Sequence, residues 1–479
     1  MVALPAARLA ALLGSWRGRG PAYQDLAGAI RVLVIDARVP AGTRLPSERA
    51  LAEALDVSRT TTTRAYEELR ERELLTSVRG SGSVVRLPLA ESSMSVILET
   101  DVGDDTISLL QAARQAAPGL GAAYGRALEK LPALLSTTGY LPDGYRPLRE
   151  LVAERYAAQG LPTDASQIII TAGAQGALAI VAAALVGRGD QVIVEACGYP
   201  HAFDTIAGVG GRLLPLPYTS TPWTTSDVRR TAPGSRLAVL VPDFHNPTSS
   251  LMPNEQREEI THVLRRSATT TVIDETLREV ALDPIEVPAP YATFDADAVT
   301  VGSLSKILWG GLRIGWIRAP HHLVSQFVQT RMRLDMAAAA FDQIVAVEAL
   351  RSDYQETNLV TIREQRDLLV SAVRERLPSF DVPVPAGGLS LWVGLPRRVS
   401  SRLVASAEGQ GLRLLPGSRF YSSRAADGEG HVRLPFTEPQ DVLLEAVERL
   451  GRAWDAVDET GTRPVRRSDE RDAIDLIQG

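Results

Sequence analysis

A large α/β domain behind a small winged helix-turn-helix module is the fold class that this sequence predicts. From about residue 107 onward, short β-branched runs alternate with helical stretches, the pattern of a mostly parallel sheet with crossover helices. Several of those runs end in polar residues, where a parallel sheet presents its ligand site. Charge is also divided along the chain. Residues 1–88 hold 13 arginines against 9 acids, a balance of +4, and the remainder carries −10, for a net charge of −6. A basic small segment ahead of an acidic large one suits a polyanion-binding module on a body with another task.

In the module, Tyr23, Leu26, Ile30, Leu33 and Val34 recur at helical spacing, so a first amphipathic helix is expected over Ala22–Ala37. Pro40-Ala41-Gly42-Thr43 ends it with a turn. Ser47 can N-cap a second short helix with Leu51, Ala52 and Leu55 inward. Asp56-Val57-Ser58 is a tight connection, and Ser58 can cap a third helix reaching about Arg72. Two short helices joined in this way make a helix-turn-helix. The third begins Arg59-Thr60-Thr61-Thr62-Thr63-Arg64, and threonines are poor helix formers because their branched Cβ loses rotamer freedom. That cost makes sense if the hydroxyls meet phosphates and the methyls meet thymine methyls in a major groove. Spacing turns Thr62, Ala65, Tyr66 and Leu69 inward and leaves Arg59, Thr60, Thr63 and Arg64 on another face. Thr76–Arg79 and Ser83–Arg86 flank Gly80-Ser81-Gly82 as a hairpin wing, where Arg79 and the glycine amides can reach the backbone or minor groove.

The stretches Arg44-Leu45-Pro46-Ser47-Glu48-Arg49-Ala50-Leu51-Ala52, Val57-Ser58-Arg59-Thr60-Thr61 and Arg79-Gly80-Ser81-Gly82-Ser83 resemble the winged helix of GntR-type bacterial transcription regulators over residues 20–88. The resemblance implies a double-stranded DNA operator as partner. It implies contacts from Arg49, Ser58, Arg59, Thr60, Thr61, Arg64, Arg79 and Gly80. Asp56 stands where glycine is usual, and aspartate tolerates turn conformations.

Domain boundaries follow from composition: the winged helix in 1–88, a small, polar, acidic linker in 89–106, the large domain in 107–457, and a charged tail in 458–479 expected to be disordered. The 45% hydrophobic and 23% charged content is that of a soluble globular protein. The one cysteine, Cys197, excludes an internal disulfide framework and suits a reducing cytoplasm. No apolar run approaches a membrane span, and Gly176–Gly187 reads as a buried helix. The N-terminus lacks the basic-then-apolar order of a signal peptide, so a cytoplasmic location is expected.

In the large domain, Ile168–Thr171, Gln191–Glu195, Leu237–Val241, Thr270–Asp274 and Ala298–Gly302 read as buried strands. The first runs into Ala172-Gly173-Ala174-Gln175, a glycine-bearing turn whose amides and helix dipole favour a phosphate. Asn246 follows the third, Asp274 ends the fourth and Lys306 follows the fifth. Lys306 stands out by scarcity, since only it and Lys130 are lysines among 51 Lys+Arg. A partly desolvated lysine amine can lose its proton and condense with a carbonyl; arginine cannot. Ser303 and Ser305 just before it and Arg313 after it suit phosphate oxygens.

This order of parts resembles the fold-type I aminotransferases, which use pyridoxal 5'-phosphate (PLP), over residues 105–457. By that resemblance Lys306 is the Schiff-base lysine, Asp274 pairs with the pyridine nitrogen, and Asn246 bonds the ring's phenolic oxygen. Ala174, Gln175, Ser303 and Arg313 hold the phosphate, Tyr199 lies against the ring, and Tyr140 reaches the phosphate across a homodimer interface. Arg433, in Val432-Arg433-Leu434-Pro435-Phe436, and His201 face the effector, Arg433 clamping its carboxylate. A GntR-type winged helix ahead of such a domain resembles the MocR/GabR-type regulators. That implies a cytoplasmic, dimeric transcription regulator sensing PLP, or a small amine or amino acid that reacts with it. The alternative is an active aminotransferase with an appended DNA-binding domain. Thr276 replaces a usual tyrosine, which argues for weak transamination, and Ser249 replaces a usual glycine.

Overall fold

The computed structural model describes residues 3–18, 20–35, 39, 43–72, 74–78, 82–85, 106–218, 222–352, 355–422 and 425–461. The expected DNA contacts Arg79 and Gly80, linker residues 89–105 and tail residues 462–479 therefore lie outside the described residues. The chain divides into two compact units, residues 1–99 with 402–411 and 449–479, and residues 100–401 with 412–448.

In the first unit, helices α1 (Ala6–Leu13), α2 (Ala22–Ile35), α3 (Glu48–Leu55) and α4 (Arg59–Glu71) precede an antiparallel hairpin, β1 (Leu75–Val78) and β2 (Gly82–Val85). Ser47 and Ser58 cap α3 and α4 as expected, accepting from Ala50 N at 3.2 Å and Thr61 N at 3.1 Å. Asp56 closes α3 in the left-handed conformation (φ 52°, ψ 52°), which an aspartate side chain tolerates better than most. Leu26, Ile30, Leu51, Ala65, Tyr66 and Leu69 pack into one core, joined by Leu9 and Leu13 of α1. The sequence reading did not include α1. The C-terminal helix, Gln440–Gly461, continues past the expected boundary at residue 457.

The second unit is built on a seven-stranded sheet. Its members are β4 (Ile168–Thr171), β5 (Gln191–Glu195), β6 (Arg212–Leu216), β7 (Leu237–Leu240), β8 (Thr270–Asp274), β9 (Val299–Ser303) and β10 (Gly315–Arg318), preceded in the chain by the two-residue β3 (Ile107–Ser108). The strand order is β4-β10-β9-β8-β7-β5-β6. Neighbours β9-β8-β7-β5-β6 pair in parallel, and β10 runs antiparallel between β4 and β9. Buried Ile169, Val192, Val239, Val272, Val301 and Ile317 give the sheet one core with the helix Gly173–Leu185, as their unbroken apolar runs require. A smaller part pairs β11 (Ser390–Gly394) antiparallel with β13 (His431–Pro435), and β12 (Leu412–Arg413) in parallel with β3. Among the described residues no helix is long and apolar enough to cross a membrane.

Candidate functional site

The second unit gathers its polar strand ends into one cleft. Lys306 follows β9, and its Nζ donates to Ala112 O at 2.8 Å. Burial, then the neighbouring Arg433 charge, pushes its pKa down to about 8, while Asp274 pulls it up. Asp274 ends β8 and accepts from Thr276 N at 2.8 Å through Oδ1. Burial raises its pKa against the opposing effects of Thr276 and Lys306. Asp274 has no ion pair among the described residues. Arg433 reaches the same cleft from β13, its Nη2 donating to Leu110 O at 2.6 Å and its Nη1 to Asn246 Oδ1 at 3.4 Å. Its guanidinium lies 4.7 Å from the Phe420 ring centroid, and its buried Nε has no hydrogen-bond partner. Burial lowers its pKa to about 10. Tyr199 feels Asp274, Arg433 and Arg313 together, and burial raises its phenol to about 12. His201 stands edge-on to Tyr199 with ring centroids 5.0 Å apart, and burial lowers its pKa.

Beside these groups the helix Gly173–Leu185 begins without a side-chain cap. Its first turn holds Ala174 and Gln175. Gln175 donates to Thr205 Oγ1 at 2.6 Å and leaves its buried Oε1 unpartnered. Arg313, left-handed at φ 53°, donates from Nη2 to Ala172 O at 2.9 Å. Gly173 has φ +79°, and a Cβ there would meet Arg313 Nη2 at 2.9 Å. At Gly315 a Cβ would meet the Gly173 carbonyl carbon at 2.4 Å. Glycine at 173 lets the Arg313 guanidinium approach the helix N-terminus and glycine at 315 lets the β10 backbone lie against it, an arrangement that favours an anion such as a phosphate. Ser303 is buried, donating to Ile314 O at 3.2 Å and accepting from Ser305 N at 3.1 Å. Tyr140 is 63% exposed.

PLP is a group these residues fit. An unpaired buried carboxylate, an amine of lowered pKa, a cradle free of Cβ atoms and a guanidinium with an orphaned Nε match its ring nitrogen, its aldehyde, its phosphate and a substrate carboxylate in turn. Sequence reasoning missed two features. One is the segment 109–116, which reaches Arg433 and Lys306 through backbone carbonyls and so leaves no mark in residue type. The other is Glu195, buried at the end of β5, whose Oε1 accepts from Trp223 Nε1 at 2.9 Å and Val241 N at 2.7 Å. Burial raises its pKa to about 7.

In the first unit, Arg49, Ser58, Arg59, Thr60 and Arg64 are exposed, and Thr61 is half-buried. Arg49 makes a loose pair with Glu53 at 3.6 Å, and Arg64 lies 5.5 Å from the Tyr23 ring centroid. The Ser58 hydroxyl is occupied in capping and in a 2.8 Å bond with the Thr61 hydroxyl. Inward, Thr62 Oγ1 donates to Glu48 O at 2.9 Å, and Thr63 Oγ1 donates to Glu48 Oε2 at 2.8 Å. The threonine run thus ties α4 to α3 on one side and leaves Thr60 exposed on the other.

Comparison with known proteins decides the family. The profile "Aminotransferase class I and II" matches residues 105–450. The chain belongs to that family. A second profile, "Bacterial regulatory proteins, gntR family", matches residues 22–85. The HTH-type transcriptional regulator YdfD of Bacillus subtilis is 27% identical, over 90% of this chain and 96% of its own. The HTH-type transcriptional regulator NorG of Staphylococcus aureus is 24% identical, over 73% and 86%. Among solved structures, the α-aminoadipate aminotransferase LysN of Thermus thermophilus, complexed with N-(5'-phosphopyridoxyl)-L-leucine, aligns with a TM-score of 0.67 at 25% identity, covering 77% of this chain and 95% of that one. This aminotransferase-family chain therefore joins a GntR-type helix-turn-helix to a fold-type I body, the make-up of a DNA-binding transcription regulator.

Proposed function

We propose that the chain is a cytoplasmic, homodimeric regulator of the MocR/GabR type whose aminotransferase-like body senses PLP, or an amine or amino acid that reacts with it. The reading rests on one observation above the others: Lys306, Asp274, Asn246, Tyr199 and Arg433 converge on a single cleft next to an uncapped helix N-terminus. When bound, PLP supplies an aldehyde and an electron-accepting ring. Lys306 holds the aldehyde carbon, and Asp274 keeps a proton on the pyridine nitrogen. Asn246 bonds the phenolic oxygen, Tyr199 packs on the ring, and Ala174, Gln175, Ser303 and Arg313 hold the phosphate. Tyr140, exposed in one copy, completes that phosphate site in the second. Arg433 takes the effector's carboxylate, with His201 beside it. The winged helix binds paired operator half-sites through Arg49, Ser58, Arg59, Thr60, Thr61, Arg64, Arg79 and Gly80.

The test is covalent. Protein loaded with PLP is expected to absorb in the visible. After borohydride reduction, peptide mapping is expected to place the pyridoxyl label on Lys306. A colourless protein, or a label on Lys130, refutes the assignment.

A further inference from the structure

Two cations in the cleft, the half-buried Lys306 and the buried Arg433, are held in large part by the backbone of one segment. Arg433 Nη2 donates to Leu110 O at 2.6 Å, and Lys306 Nζ donates to Ala112 O at 2.8 Å. At its start this segment follows β3, two residues paired with β12, and Leu109 N donates to Arg413 O at 2.9 Å. At its end Ala117 N donates to Leu308 O at 2.9 Å. Between these anchors residues 109–116 form no helix or strand. The segment is therefore fastened at both ends, by the buried Leu109 and Leu110 side chains, by interactions of Gln111 and Arg114, and by carbonyls lent to two cationic side chains.

We propose that residues 109–116 are an internal stand-in for ligand, displaced when PLP and an α-amino acid take Lys306 and Arg433, and that their displacement carries the ligand signal toward the winged helix. The proposal rests on the PLP-sensing reading above and supplies its transmission step. The chemistry is a competition between acceptors. A carboxylate adds its own charge to a bond that a carbonyl accepts only as a neutral group, and it can bind a guanidinium through two parallel bonds. Arg433 has the second donor ready, because its Nε is buried without a partner. An effector carboxylate on Nε and Nη2 satisfies the orphan and expels Leu110 O. Condensation of the neutral Nζ amine with the cofactor's aldehyde carbon breaks the C=O bond and releases its oxygen as water together with both amine hydrogens, so Ala112 O loses its donor. PLP thus releases Ala112 O and an effector carboxylate releases Leu110 O, while the anchors at Leu109 and Ala117 keep the ends in place. Where the amino acid's nitrogen replaces Nζ on the cofactor carbon, Nζ regains its hydrogens and the second step rests on Arg433 alone. The chain runs from β3 back through residues 86–105 to the winged helix, which makes this segment one of the covalent routes between the two units.

The experiment is hydrogen exchange by mass spectrometry on the full chain, apo, with PLP, and with PLP plus each of the twenty common L-amino acids. Visible absorption is recorded on the same samples. PLP is expected to speed exchange in peptides covering 107–116 several-fold. An amino acid that changes the visible band should speed it about tenfold further, and Arg433→Ala should lose that second step while keeping the PLP band. If the band forms and the peptides exchange at the apo rate or more slowly, the displacement is wrong and PLP binding stands. If no band forms, the PLP reading fails and this proposal fails with it. If no amino acid alters band or exchange, the Arg433 step is wrong. Transmission is tested by inserting ten Gly/Ser residues after Ala90 and measuring affinity for a DNA fragment selected from random sequence by the unmodified protein. The insertion should preserve the band and its response while abolishing the amino-acid effect on DNA affinity. A retained effect would show that the signal takes another route.

Discussion

Lys306 sits between a cation that disfavours its charge and a carboxylate that favours it, and its titration reports both. Burial first, and Arg433 next, set its pKa near 8, with Asp274 opposing them. The neutral amine is the reactive form, so its fraction rises with pH and saturates above that value. PLP uptake by the apo protein should therefore quicken about tenfold per pH unit below the pKa and level off above it. Asp274→Ala removes the group that raises the pKa, so the midpoint moves to lower pH. Arg433→Ala removes a group that lowers it, so the midpoint moves higher. Stopped-flow absorbance between pH 6 and pH 9 measures both, and a flat profile or shifts of the same sign refute this account. Thr276 acts at the same scale. Its amide bonds Asp274, but its side chain is much shorter than the tyrosine that the resemblance to MocR/GabR-type regulators implies there. Proton transfer during turnover needs a well-placed donor and base. Keto product is thus expected to form slowly with any amino donor, and Thr276→Tyr to shift the pH midpoint of the bound-PLP spectrum. Several turnovers per minute in the unmodified protein would favour the aminotransferase alternative.

At the level of the element, α4 opens with two adjacent residues whose side chains are differently engaged. Ser58 caps the helix through Oγ, whereas the Arg59 side chain is exposed and makes no hydrogen bond or ion pair among the described residues. Ser58→Ala should lower thermal stability by about 1 kcal/mol. Arg59→Ala should leave the melting temperature in place and weaken DNA binding by about 1–3 kcal/mol if Arg59 reads a base edge. Calorimetry alongside DNA titration at fixed salt tests the pair. An Arg59→Ala protein that binds normally would move the docking face elsewhere. The caps were legible in sequence because serine at an N-cap has a local cause, and so were β4, β5 and β8, whose short apolar runs mark buried strands. Helix α1 was not, since Ala6–Leu13 is apolar on one stripe without a cap or partner residue to announce it. Nor was β10, whose antiparallel place between β4 and β9 is decided by long-range pairing. In the cleft, the candidate side chains of Lys306, Asp274, Asn246, Tyr199 and Arg433 were legible as residue types, and the buried Glu195 was not. The carbonyls of Leu110 and Ala112 were not, because any residue presents a carbonyl.

Across the whole molecule, charge argues for binding in pairs. The winged-helix segment carries +4 and the rest −10, so the acidic body repels a polyanion that the module attracts. One module alone has few arginines to release counterions, and a site of that size binds weakly at physiological salt. Two modules in a dimer convert the second contact into an intramolecular one, which raises avidity by about 10²–10⁴ when spacing allows both to engage. DNA with two correctly spaced half-sites should therefore bind at least a hundredfold more tightly than DNA with one. Affinity for both should fall steeply with salt, and Arg49→Ala should reduce the slope by about one if Arg49 meets a phosphate. Because the gain comes from geometry, adding half a helical turn between half-sites should remove most of it without changing the salt slope per module. Fluorescence anisotropy with the three DNAs at several salt concentrations, with sedimentation of the same protein, measures each of these quantities. Equal affinity for single and paired half-sites would mean that the modules act separately, and a monomer in sedimentation would leave Tyr140 without the second site assigned to it.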